Sequence, residues 1–63
     1  MIHWELAIEK NGGTITIDSF DHIEEAVIAL KENDNPTAFI DLWEGCKELG
    51  QTLNKKQLEK LNK

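Results

Sequence analysis

The sequence predicts an α+β fold in one small domain spanning residues 1–63: an N-terminal β-hairpin followed by three helices (ββααα). Three observations carry this expectation. Apolar residues alternate from Ile2 to Ile8, an Asn11-Gly12 pair interrupts a strand-like stretch, and apolar residues recur at helical spacing from Ile23 onward. The composition, 40% apolar and 30% charged, is that of a folded globular chain and lies far from a disordered one.

The hairpin is the best-specified element. Ile2, Trp4, Leu6 and Ile8 fall on one side of a strand, with His3, Glu5, Ala7 and Glu9 on the other. Asn-Gly favours a two-residue turn because both residues tolerate positive φ. That turn sets Lys10 opposite Gly13, Ile8 opposite Ile15 and Leu6 opposite Ile17, apolar against apolar on one face. A slip of one residue would break the match, so turn and pattern support each other.

The first helix opens after Asp18-Ser19-Phe20-Asp21. Ser19 or Asp21 can cap it, and Asp21 with Glu24 resembles a capping box. Ile23, Ala26, Val27 and Leu30 form its apolar stripe, and Asn33-Asp34-Asn35 ends it. Asn35-Pro36 then reads as the cap and first residue of a second helix. Its stripe is Phe39, Leu42, Trp43, Cys46 and Leu49, and Gly50 is its stop. A strand over Ala38–Trp43 competes with this reading. Gly45 costs such a helix about 1 kcal/mol relative to Ala, which points to close approach of a neighbouring backbone. For the third helix Asn54 is the cap, Gln57 the box partner and Leu53 a staple to Leu58. With Leu58 and Leu61 as its apolar residues, this helix is expected to dock on the core rather than build it.

Charge and size bound the function. The chain carries a net charge of −5 and has no arginine. The acid excess lies before Pro36; the remainder is slightly basic. Such a surface repels nucleic acid, anionic membranes and phosphorylated substrates, and attracts basic protein surfaces. The longest apolar run, Ala26–Leu30, is far short of the roughly 20 residues that span a bilayer, so no membrane association is expected. Glu5 and Glu9 interrupt the N-terminus as a secretory signal, and the lone Cys46 suits a reducing compartment. A cytoplasmic location follows. A core this small also invites self-association as a homodimer.

Chemistry-bearing residues are few. Cys46 falls in the apolar stripe, where a thiol is buried and inert. His3 and His22 lie on different elements without the spacing of a metal motif. No catalytic residue, metal or cofactor is expected, and the chain reads as no enzyme. The acids offer a surface instead: Glu24, Glu25 and Glu32 share one face of the first helix, and Asp41, Glu44 and Glu48 one face of the second. Ile28 lies about 140° from Ile23 on the helical wheel, among those acids, and Ile40 about 100° from Phe39. With Trp43, and with Trp4 as a further member, they predict an acid-rimmed apolar patch that anchors a protein partner.

The expected function is a small acidic binding module that modulates or inhibits a larger protein with a basic surface. Its size, acidity and lack of a catalytic constellation are similar to those of accessory proteins that bacteria and phages encode. One alternative is an acidic mimic of DNA that blocks a nucleic-acid-binding protein. Another is weak nucleic-acid binding through Lys55, Lys56, Lys60 and Lys63. The segment from Cys46 to the Asn54 cap resembles a helix-turn-helix, though its turn is long and it has no Arg to read bases.

Overall fold

Asn11 and Gly12 take φ of 55° and 81°, the left-handed pair that a two-residue turn between twisted strands requires. The computed structural model describes residues 1–61, Leu61 by its backbone alone. Around this turn it pairs β1 (Ile2–Lys10) with β2 (Gly13–Phe20). Lys10 faces Gly13, Glu9 faces Thr14, Ile8 faces Ile15 and Ala7 faces Thr16, as the alternation predicts. The register then shifts: Leu6 meets Asp18 rather than Ile17, and the bulge carries β2 on to Phe20 opposite Trp4.

α1 (Ile23–Glu32) follows, with His22 as N-cap. No side chain bonds its first turn, so neither Ser19 nor Asp21 caps it. Ala26 and Leu30 are fully buried, Ile28 points away from them, and the Asn33 N–H closes the last turn onto Ala29 and Leu30.

Beyond α1 the chain departs from the sequence expectation. The fold is ββαββα, not ββααα: the second expected helix is a β-hairpin of β3 (Phe39–Glu44) and β4 (Lys47–Asn54), followed by α2 (Lys55–Leu61). Asn35 does cap, but it caps a turn. Its Oδ1 accepts from the Thr37 N–H (2.9 Å) and hydroxyl (2.7 Å), and its carbonyl accepts from Ala38 N–H. The Thr37 hydroxyl oxygen in turn accepts from the Glu9 N–H on β1. Gly45 has φ +61° with nothing within 4 Å of where its Cβ would stand. Its reason is therefore the two-residue turn linking Glu44 to Lys47, not close approach of another backbone. Cys46 sits exposed in that turn rather than in a core stripe. The helix-turn-helix likeness falls with it, since no helix precedes α2 on this side.

The four strands form one antiparallel sheet in the order β2-β1-β3-β4, with α1 crossing from edge strand β2 to central strand β3. Leu6, Ile40 and Leu53 make one row across β1, β3 and β4. On that face lies the core, where Leu6 and Ile40 meet Ala26 and Leu30 of α1, Ala38, and Leu58 of α2, with Trp4, Ile8, Phe20, Val27 and Leu53 packed around them. Leu58 is 6% exposed, so α2 builds the core instead of merely docking on it. Its capping box forms as expected: Gln57 N–H donates to Asn54 Oδ1, and Asn54 N–H to Gln57 Oε1. The side chain of Leu61 lies outside the described residues.

Candidate functional site

Both helices contribute to the core on one face of the sheet, and among the described residues neither packs on the other, open face. Strand alternation decides what it carries. Its rows are His3–Trp43–Glu48, then Ser19–Glu5–Asp41–Thr52, then Thr16–Ala7–Phe39–Asn54, with Thr14 and Glu9 beyond. Glu5, Glu9, Asp41 and Glu48 thus share a face whose described strand residues include no Lys or Arg.

Side-chain bonds order the centre of this face. One oxygen of Glu5 accepts from the Thr16 hydroxyl (3.2 Å) and the other from the His3 ring Nε2 (2.8 Å). Asp41 Oδ1 accepts from the Thr52 hydroxyl at 2.7 Å. Glu5 and Asp41 stand directly opposite each other in the register, a like-charged cross-strand pair. Such a pair destabilises a sheet by roughly 0.2–1 kcal/mol. Phe39 and Trp43 flank Asp41 along β3, both half-buried on the side away from the core. The Trp43 Nε1–H is buried and, among the described residues, has no acceptor. Past Phe39 the face runs into a cleft of about 620 Å³ between the Pro36–Thr37 turn and the start of α2, bordered by Glu9, Asn54, Lys55 and Lys56.

The residues singled out from the sequence divide among three places. Asp41, Trp43 and Glu48 come together on the open face, held by two strands rather than by one helix. Glu24, Glu25, Glu32 and Ile28 lie exposed on the outward side of α1, across the molecule from that face. Ile40 and Trp4 belong to the core side: Ile40 is 0% exposed and Trp4 packs against the core cluster. The patch expected from Ile28, Ile40 and Trp43 therefore does not exist, because a strand sends Ile40 and Trp43 to different faces. Glu44, at the exposed end of β3, pairs with Ile2 and Lys47 on the core-side row.

Sequence reading missed Glu5, Glu9 and Phe39. The alternation of the first strand already put Glu5 and Glu9 on its outer side; only the pairing of β1 with β3 sets Asp41, Trp43 and Phe39 beside them. The C-terminal lysines are placed separately from the acidic face. Lys55 Nζ donates to the Asn33 carbonyl, Lys56 borders the cleft, Lys60 is exposed, and Lys63 lies outside the described residues. No helix among the described residues is long and apolar enough to cross a membrane.

No protein family, curated protein or solved structure matches the chain.

Proposed function

We propose that the protein is a small, non-catalytic binding module that docks a basic segment of a larger protein on the open face of its sheet and so modulates or inhibits that protein. The observation that carries this reading is the row Phe39, Asp41, Trp43 on one face of β3, with the Glu5 carboxylate directly across from Asp41. Along a strand, alternate residues stand about 6–7 Å apart. A guanidinium or ammonium group placed over Asp41 and Glu5 then has an aromatic ring on either side. It relieves the repulsion between the carboxylates and gains cation–π contacts of about 0.5–2 kcal/mol each, depending on desolvation. The surrounding acids Glu9 and Glu48 speed encounter with a basic target. The cleft beyond Phe39 leaves room for an apolar side chain next to the basic one.

An oligoarginine peptide titrated into the ¹⁵N-labelled protein tests the assignment, with oligoglutamate as control. The expected result is a shift of the Trp43 indole signal and of the amides of Glu5, Phe39 and Asp41, absent with oligoglutamate. Shifts confined to Glu24, Glu25, Ile28 and Glu32 would move the site to the outward side of α1. An affinity that collapses with salt and ignores Trp43→Ala would favour a nucleic-acid mimic, since purely electrostatic binding is screened whereas an aromatic anchor is not.

A further inference from the structure

We propose that β2 is a self-pairing edge through which two copies of this chain join into one continuous sheet. The two edges of the sheet differ. β4 is guarded: Gly50 takes φ +79°, its N–H is held by the Glu48 carboxylate at 2.8 Å, and the register slips between Asp41 and Trp43. A bulge, charged residues and an occupied N–H are what discourages another strand from adding. β2 has none of these over Gly13–Thr16. It reads Gly-Thr-Ile-Thr, without charge or proline, and every one of those residues is exposed. The bulge at Ile17 limits the usable ladder to this stretch.

Backbone geometry selects the register. Lys10 and Gly13 flank a two-residue turn, so they and the pair Ile8–Ile15 bond to each other within the hairpin. The N–H and C=O groups of Thr14 and Thr16 are then directed to the free side. A two-fold axis through Ile15 sets Thr14 against Thr16 of the second copy, and each such pair exchanges both of its N–H···O=C bonds. Ile15 meets Ile15 of the second copy at a non-bonded position, where Cα atoms approach to about 4.5 Å and side chains are closest. Ile15 and Ile17 are 44% and 46% exposed, and the pairing covers the first directly.

Net charge confines a second copy to this edge. Two chains of net charge −5 repel through most of their surface, and the open face with Glu5, Glu9, Asp41 and Glu48 is the worst approach. The neutral strip of β2 is where they meet with no carboxylate opposite another; Asp18, the first acid on β2, lies beyond the bulge. A basic strand gains nothing at this neutral edge and is drawn to the acidic face instead. The pairing leaves that face free, so the two readings stand or fall separately.

Sedimentation equilibrium across a concentration series tests the pairing. The wild-type mass is expected to rise from 7.2 kDa toward twice that value, while Ile15→Lys and Thr16→Pro stay at 7.2 kDa with an unchanged circular dichroism spectrum. Proline fits here because the N–H it removes faces water in the single chain. A second readout does not depend on those variants folding. In a Cys46→Ser background, Ile15→Cys is expected to oxidise to a covalent dimer faster than Ile28→Cys, because the paired Cα separation suits a disulfide. A wild type that stays at 7.2 kDa up to millimolar concentration, a dimer that survives both substitutions, or equal oxidation at the two cysteine positions would each overturn the proposal.

Discussion

Asp41 is the residue at which stability and binding should pull apart. It stands across from Glu5 and accepts a hydrogen bond from Thr52. Asparagine keeps an oxygen for the Thr52 hydroxyl and removes the repulsion. Asp41→Asn is therefore expected to leave the fold as stable or to raise it by about 0.2–1 kcal/mol in urea melts, while the shifts induced by oligoarginine shrink severalfold. A clear loss of stability would mean that the carboxylate is needed for the sheet rather than for a ligand. Trp43 beside it points the same way. A buried donor without an acceptor costs about 1–3 kcal/mol, which an acceptor on a docked segment would relieve. Residue type alone singles out Trp43 and Asp41 in the sequence, but not the face they share. Adjacent residues such as Leu42 and Trp43 share a helix face yet go to opposite faces of a strand.

Between Phe39 and Leu49 the two periods genuinely compete. Phe39, Leu42, Trp43, Cys46 and Leu49 fit a helical stripe, while Ala38, Ile40, Leu42 against Phe39, Asp41, Trp43 fit a strand. The strand signal is blurred because β3 lies inside the sheet and carries large apolar groups on both faces, one set for the core and the other for the open surface. Phe, Ile and Trp favour strands, and Gly45 followed by Cys46 is a two-residue hairpin signal with glycine first. Those cues outweigh the stripe once Gly45 is read as a turn. The first hairpin suffered no such ambiguity, since its Asn11-Gly12 turn and its alternation agree. The β3–β4 reading makes its own prediction. Gly45→Ala places a side chain at φ +61° in open space, so the cost is backbone strain alone. It should lower stability by about 1–2 kcal/mol in thermal or urea melts, where a mid-helix glycine replaced by alanine would gain about 1 kcal/mol. The sign of the change separates the two structures.

At the scale of the whole molecule, the order β2-β1-β3-β4 joins segments that no local pattern connects, and from it follow the open face and the exposed edge. It also explains why the C-terminal helix matters. The core face is lined by Leu6, Leu30 and Ile40 with the small residues Ala26 and Ala38, and Leu58 of α2 closes it. Single domains are stable by about 0.05–0.15 kcal/mol per residue, which for 63 residues amounts to about 3–9 kcal/mol. Leu→Ala in a core costs about 2–5 kcal/mol, about half or more of that total. Leu58→Ala is thus expected to bring the whole sheet to the edge of unfolding, with the strand signal in circular dichroism and the dispersion of the Trp4 and Trp43 indole resonances lost together on mild heating. If α2 were only an appendage, the sheet would persist and α2 alone would melt. Cooperative loss would establish that one core, shared by both helices, holds the acidic face in its shape, so that substitutions remote from Asp41 and Trp43 also deplete the folded state that carries it.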